Sequence, residues 1–462
     1  MSKRHLRPYA DVLETIGWTP LIRLNAVTAG IRTPVYGKAE FFNPGGSVKD
    51  RIGVAIIEDA ERRGELKPGG TIVEGTSGNT GVGLALAAAL KGYRCIFTMP
   101  DKMSQEKVRL LRAFGAEVII TPTAVPPDHP ENYVMKAKTI AAQTPNAVLA
   151  NQFYNQVNPE AHYRTTGPEL WEQTDGRITH FVGGAGTGGT MSGAGRYLKE
   201  QNPAVTIVVA EPEGSIFAEY RRTGVVAQGS PYKVEGIGGD KVPGTLHFDY
   251  IDEFLTVSDR DAFHMARRIT REEGLFVGGS TGLIVCAALQ IARQVDDPNA
   301  CVVAILCDTG ERYLSKVFND EWLRENQMLE TELVTAARLL AAKDEPAPAL
   351  VTVTPAQTAR QALNLMETYD VSQLPIVEGG ACVGSVTEGT LMARAIAQPA
   401  MLDRQVREVM DPPYPVVDET LPLDRFADLL SRESPAVLVS RGEELIGIVT
   451  RYDVLHQMVG IR

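Results

Sequence analysis

Basic residues fall short of acidic ones. The chain has 46 Lys and Arg against 57 Asp and Glu, a net charge of -11. That sign works against non-specific nucleic-acid binding, which needs a basic face. It does not count against small anionic ligands, which are held locally. Cysteine is scarce, odd in number and scattered. Cys95, Cys286, Cys301, Cys307 and Cys382 form no CxxC pair, and four of them stand in apolar surroundings. They read as reduced, mostly buried thiols of a cytoplasmic protein. The seven histidines show no HExxH or paired spacing, so no metal site is expected. No run of 18 apolar residues occurs, which excludes a helical membrane span. No apolar stretch follows Lys3, Arg4 and Arg7, so no signal peptide is expected either.

What the chain does have is length, 462 residues and so roughly two to four domains, and 43 glycines, with short glycine-rich turns repeatedly set between a strand and the next helix. After an N-terminal arm and short strands around Pro20–Leu24, strand-like and helical patterns alternate to about residue 330. Thr71–Glu74, Arg94–Met99 and Glu117–Ile120 read as strands. Gly81–Leu90, Ser104–Phe114 and Tyr133–Gln143 read as helices. The apolar runs Ile178–Val182, Val205–Ala210 and Cys301–Leu306 suit buried parallel strands, with helices at Arg260–Glu273 and Thr281–Gln294. This predicts an α/β fold with two parallel-sheet lobes, whose ligands bind where strands end and helices begin.

A helical segment, Thr331 to Ala342, is expected to end this part, and Lys343–Pro348 reads as an exposed linker. Beyond it the sequence repeats. Leu374–Thr387 matches Ser434–Thr450, with Gly384 and Gly447 standing 63 residues apart, as do Thr387 and Thr450. Each copy predicts a helix (Thr358–Tyr369; Leu423–Leu430), two strands, and a second helix (Leu391–Ala397; Tyr452–Met458). One such unit is marginal alone. Two would share a core and form a cleft. The expected division is 1–330 catalytic, 331–349 linker, and 350–400 and 401–462 as the two repeats.

Four loops carry the candidate chemistry. Asn43-Pro44-Gly45-Gly46-Ser47-Val48-Lys49-Asp50-Arg51 leads from the strand-like run Val35–Phe41 to the apolar-periodic run Ile52–Ala60. It sets Lys49 near a helix start, where the helix dipole disfavours a cation and favours the neutral amine, the form that attacks an aldehyde. A solvated lysine beside Asp50 is the alternative. Glu74-Gly75-Thr76-Ser77-Gly78-Asn79-Thr80-Gly81 offers hydroxyls and backbone N–H groups for a carboxylate, or merely a helix cap. Gly183–Thr190 reads as a phosphate cradle or a flexible loop. Gly278-Gly279-Ser280-Thr281-Gly282 precedes another helix, and Ser280 is its ligand-facing hydroxyl or its N-cap. A further loop, Val234–Asp240, has glycines that permit close approach to a ligand. A reactive lysine, a phosphate cradle and a carboxylate site on separate turns together suit a phosphorylated aldehyde cofactor with an amino-acid substrate beside it.

These four motifs resemble the signature loops of the pyridoxal-phosphate β-family, fold type II, over residues 8–325. Its cystathionine β-synthase branch is nearest and its cysteine synthase branch next. The repeat resembles the paired regulatory module associated with the former. The resemblance implies Lys49 as the lysine that anchors pyridoxal 5'-phosphate and shuttles protons. It implies Asn79 at the ring hydroxyl, Gly186, Thr187, Gly188, Gly189 and Thr190 at the phosphate, and Ser280 at the pyridine nitrogen. It places Thr76, Ser77, Thr80 and Gln152 at the substrate carboxylate, with Gly236 beside them. It implies condensation of serine with homocysteine, a transsulfuration step, with hydrogen sulfide from cysteine as a side activity. The alternatives are acetylserine with sulfide, or a non-catalytic cofactor-binding sensor. Glu235–Gly238, Asn158–Tyr163 and the attached repeat favour the first branch. Gly310–Ser315 is like the second, and Asp308 stands at a variable spot. Only about seven residues precede Pro8, with His5 and no cysteine, so no haem is expected. In the repeat, Thr450 and Asp453 fit a ribose-gripping pair for S-adenosylmethionine or an adenine nucleotide. The first copy has Thr387, but Thr390 in the acid's place. A homodimer or homotetramer is expected of the family.

Overall fold

The computed structural model describes residues 8–76, 78–126, 128–329, 335–341, 343, 348, 350–423, 429–431 and 434–460, the last five as backbone only. The chain divides into two compact units, Met1–Leu329 and Glu330–Arg462.

In the first unit β1 (Leu21–Arg23) pairs antiparallel with β2 (Val35–Ala39). The chain then leaves to build a second sheet from β3 (Thr71–Gly75), β4 (Arg94–Pro100), β5 (Glu117–Thr121) and β6 (Ala147–Leu149), all parallel, in the order β5-β4-β3-β6. It returns with β7 (His180–Gly184), β8 (Thr206–Pro212), β9 (Glu253–Val257) and β10 (Val302–Leu306), completing the order β1-β2-β10-β7-β8-β9. Every pair in that sheet except β1–β2 is parallel. The fold is therefore the expected two-lobed α/β architecture.

β10 shows why its run of apolar residues is unbroken. Val302, Ala304 and Leu306 pack into one core with the helix Gly279–Val295, while Val303 and Ile305 pack into another with the helix Gly189–Gln201. A strand covered on both faces has no polar side to show. Leu283, Ile284 and Leu289 of the first helix are fully buried, each worth roughly 2 kcal/mol of burial. A Cβ on Gly282 would lie 1.9 Å from the Ala262 carbonyl oxygen. That glycine of the Gly278–Gly282 loop therefore serves helix packing.

The helices Lys49–Arg62 and Asn79–Lys91 touch backbone to backbone in the smaller lobe. A Cβ on Gly83 would stand 2.5 Å from the Lys49 carbonyl oxygen. Only glycine allows that approach, and it brings the two N-termini side by side. The first helix begins at Lys49, earlier than the apolar period from Ile52 suggested, and a 3-10 turn, Glu40–Phe42, separates it from β2. Its first turn is buried by ion pairing. Arg51 meets Glu40 and Glu169 at 2.7 Å, and Glu169 also holds Lys38 at 2.7 Å.

In the second unit, β11 (Gln373–Glu378) pairs antiparallel with β12 (Ala381–Thr387), between the helices Ala359–Tyr369 and Glu388–Ala397. The second copy has β13 (Val416–Asp418) parallel to β14 (Ala436–Arg441), which pairs antiparallel with β15 (Glu444–Thr450) before the helix Arg451–Gly460. The repeat extends to the irregularities: the register shifts at Ile376/Val377 and at Val439/Ser440. The expected helix Leu423–Leu430 lies mostly outside the described residues. Ala336–Ala341, expected to close the α/β part, instead packs with Val437, Val439 and Val449 of the second copy. Among the described residues no helix is long and apolar enough to cross a membrane.

Candidate active site

Four helices aim their N-termini at one cleft. They begin at Lys49, Asn79, Gly189 and Gly279. Each contributes partial positive charge from its unpaired N–H groups. Lys49, Asn79, Gly186, Thr187, Gly188, Thr190, Gly236 and Ser280 all line the cleft, with Cys307 and Ile237. Residues from five separated stretches thus meet as the sequence implied.

Lys49 is held below the ordinary lysine range by burial, against the opposing pull of Cys307, Asp308 and Glu40. The positive helix ends around the cleft push in the same direction, toward the neutral amine. Ser280 is buried and hydrogen-bonds the Cys307 thiol, which burial pushes up to about 12. Ser280 is not the N-cap; Gly278 is, without a side-chain bond. The local capping alternative is therefore overturned, and the hydroxyl faces the cleft. All five cysteines are free. Cys95 and Cys301 are buried and the other three half-buried.

Beneath the loop Gly186–Thr190 lies a layer the motifs did not mark as functional. Asn158 Nδ2 donates to Thr187 Oγ1 at 3.0 Å and to the Gln152 carbonyl at 2.9 Å. One turn on, His162 Nε2 meets Thr190 Oγ1 at 3.1 Å, and its Nδ1 meets Thr166 Oγ1 at 2.8 Å. Burial, with Arg51 and Lys49 nearby, lowers His162 to about 3, so the ring is neutral. The signal was two polar residues four apart on one helix, Val157–Arg164. Gly189 rests on Asn158 and does not line the cleft.

The candidate carboxylate residues stand apart from the cleft lining. Thr76, Thr80 and Gln152 are buried. Thr80 donates to Gln152 Oε1 at 2.6 Å, and Gln152 Nε2 reaches the Gly75 carbonyl at 3.3 Å. Thr76 Oγ1 accepts from Gly78 N–H at 3.0 Å. Ser77 lies outside the described residues.

Asn79 is clamped from both ends. Its Nδ2 donates to Asp308 at 2.7 Å, and its Oδ1 accepts from Arg312, which also donates to the Gly45 carbonyl. Asp308 further accepts from Tyr313 at 2.6 Å. Glu235 binds Lys107 at 2.5 Å and Lys316 at 2.6 Å. The variable spot at Asp308 is thus the joint between the Lys49 loop and the Asn79 loop.

In the second unit, Asp453 accepts from Thr450 N–H at 2.6 Å and Oγ1 at 2.8 Å, and pairs with Lys343 at 2.8 Å. In the first copy Thr390 bonds Asp411 at 3.3 Å. A carboxylate therefore reaches that position from another element.

Comparisons with known proteins agree with this geometry. A family model described as pyridoxal-phosphate dependent enzyme matches residues 12–308, and the CBS domain model matches 342–396 and 406–460. A cystathionine beta-synthase of Dictyostelium discoideum is 39% identical, the match covering 96% of this chain and 91% of that protein. A solved structure described as an O-acetylserine dependent cystathionine beta-synthase from Helicobacter pylori superposes with TM-score 0.62 at 38% identity, covering 67% of this chain and 98% of that one. A cysteine synthase from Entamoeba histolytica gives TM-score 0.62 at 38% identity over 68% of this chain and 92% of its own. The four loops around Lys49, the two-lobed parallel fold and the tandem repeat together show that the chain belongs to the cystathionine beta-synthase family of pyridoxal-phosphate dependent enzymes, with a C-terminal pair of CBS domains.

Proposed function

We propose that the chain is a carbon–oxygen lyase that condenses L-serine with L-homocysteine to cystathionine, using pyridoxal 5'-phosphate. The observation that carries this is the convergence of four helix N-termini and a buried, neutral-leaning lysine amine on one cleft. The residues fit the cofactor. The loop Gly186–Thr190 offers backbone N–H groups at a helix N-terminus, and its threonines are pre-oriented by Asn158 and His162. When bound, the cofactor supplies an electron sink for charge that builds on the substrate's Cα. Lys49 Nζ takes the proton from Cα and later returns it. Serine loses its β-hydroxyl as water, and the homocysteine sulfur, having given up its proton, bonds to Cβ. Ser280 offers the pyridine nitrogen a neutral hydroxyl, which limits electron withdrawal and favours loss of the β-substituent over transamination. Asn79, held by Asp308 and Arg312, would stand beside the ring hydroxyl. Thr76, Ser77, Thr80 and Gln152 receive the substrate carboxylate by exchanging the Thr80–Gln152 bond for bonds to it.

A second reading, acetylserine as the donor with sulfide as the nucleophile, is favoured by Gly310–Ser315 and by the likeness to the Helicobacter and Entamoeba enzymes. The deciding assay compares product formation from serine plus homocysteine with that from acetylserine plus sulfide. Cystathionine from the first pair supports the proposal, and a large preference for the acetyl ester overturns it. For the repeat, we propose an adenosyl ligand, S-adenosylmethionine or an adenine nucleotide, at Thr450 and Asp453. A melting-temperature shift with either ligand supports this, and no shift with any overturns it.

A further inference from the structure

Glu74 is a buried carboxyl with no task in the mechanism above. It lies on β3, immediately before the Gly75–Gly81 turn, and is 2% exposed. Its Oε2 accepts from Asn151 N–H at 2.6 Å. Gln152, the next residue, also lowers the cost of its charge. Asn151 adopts a left-handed conformation, φ 54°, to present its N–H. No ion pair joins Glu74 among the described residues. The titratable group facing it is Tyr133, on the helix Tyr133–Gln143, whose phenol burial pushes up to about 12. Its β4 partner Phe97 and the adjacent Thr98 carry no charge.

A carboxyl buried without a counter-charge is costly. A glutamine there would cost less and fill the same space. What the carboxylate adds is a charge-assisted bond from Asn151 N–H, on the short turn that carries Gln152, whose Oε1 receives the Thr80 hydroxyl. Thr80 stands after β3 and Gln152 after β6, their side chains bond each other, and Glu74 holds the backbone turn on which Gln152 stands. We infer that Glu74 is a positioning residue for the substrate carboxylate: its ionised side chain fixes the Asn151–Gln152 turn and so keeps the Gln152 amide against the Thr80 hydroxyl. The inference rests on the proposed carboxylate role of the loop Thr76–Gly81.

Burial raises Glu74 to about 7, so its ionised form and its hold on that turn are lost as pH falls below that value. The test uses the cofactor-loaded full chain, wild type beside Glu74→Gln and Glu74→Ala. Serine is titrated while the cofactor's visible absorption is followed, and KM, kcat and melting temperature are measured in parallel. Glu74→Gln is expected to keep the absorption band, with a melting temperature no lower than wild type and higher above pH 7, where the buried charge is lost. Its half-saturating serine concentration should rise about tenfold above pH 7, the size of one charge-assisted hydrogen bond, with kcat changed far less. Wild type should lose serine affinity on acidification through the Glu74 range, and Glu74→Gln should lack that added slope. Glu74→Ala should show the same rise without rescue. Unchanged serine affinity and pH profile in Glu74→Gln would overturn the inference, as would parallel losses of kcat, KM and melting temperature. Failure of wild type to take up the cofactor at all would instead sink the proposed function, so the two failures are distinguishable.

Discussion

Gly189→Ala tests whether the phosphate loop is held from below. The new Cβ would stand 1.9 Å from Asn158 Oδ1 and 2.4 Å from its Cγ. Asn158 cannot simply swing away. It is 1% exposed and its Nδ2 holds both the Gln152 carbonyl and Thr187 Oγ1. Moving it breaks two buried hydrogen bonds, at about 1 kcal/mol each. Moving the loop instead costs about 1–3 kcal/mol of overpacking. Either route costs roughly 1–3 kcal/mol, and it falls on the loop and helix N-terminus proposed to hold the phosphate. Cofactor affinity should therefore fall by about ten- to a hundredfold. The assay titrates cofactor-free protein with pyridoxal phosphate, following visible absorption, with denaturant unfolding alongside. Asn158→Ala in the Gly189→Ala background should restore part of the loss, as coupled neighbours do. Affinity within about threefold of wild type, with an unchanged unfolding midpoint, would refute the reasoning.

Lys49→Ala should abolish cystathionine formation while phosphate-dependent cofactor binding persists in equilibrium dialysis; near-normal turnover would unseat Lys49 from its role. Asp50 is raised to about 7 by burial, from an ordinary value of 3.8, so its contribution to stability is present at low pH and is lost as pH rises through 7. Asp50→Asn should therefore gain on wild type between pH 4 and 8 by up to about 4 kcal/mol in chemical unfolding; a pH-independent difference contradicts this. Glu169→Gln leaves Lys38 and Arg51 with less counter-charge and should cost about 3–5 kcal/mol, read from denaturant midpoints, with a loss under about 1 kcal/mol counting against a structural role for the cluster. Lys343→Ala frees Asp453 from a half-buried ion pair and should tighten adenosyl-ligand binding by calorimetry, by a few-fold at most; weaker binding would mean that the lysine touches the ligand.

The sequence announced what depends on backbone pattern. Lys49, the glycine loops and the parallel strands are local signals, written within about ten residues each, and the structure brings them to one cleft. What it hid is side-chain partnership across long separations. Asp308 reaches Asn79 across 229 positions and Arg312 reaches it across 233, and no spacing rule joins residues so far apart. Charge was equally opaque. Lys38, Glu40, Arg51 and Glu169 read by type as surface residues, yet all are nearly fully buried because they pair with one another. That burial is also why the helix starts at Lys49: apolar periodicity cannot register a first turn whose side chains are buried as ions.

The tandem repeat shows the same limit from the other side. Its 63-residue offset was visible down to single glycines, and the structure carries it into matched register shifts in both hairpins. By position, the first copy lacks the acid that the second has in Asp453. In space it does not, because Asp411 bonds Thr390 and pairs with Arg394 at 2.7 Å. Each copy thus joins a hydroxyl at the start of its last helix to a carboxylate and a cation, assembled from different positions. The asymmetry that matters for ligand choice is the source of the cation. Arg394 lies on the helix of its own copy, whereas Lys343 lies ahead of both copies within the second unit. A ligand that takes the Asp453 carboxylate would compete with Lys343, whereas one that takes Asp411 would compete with Arg394.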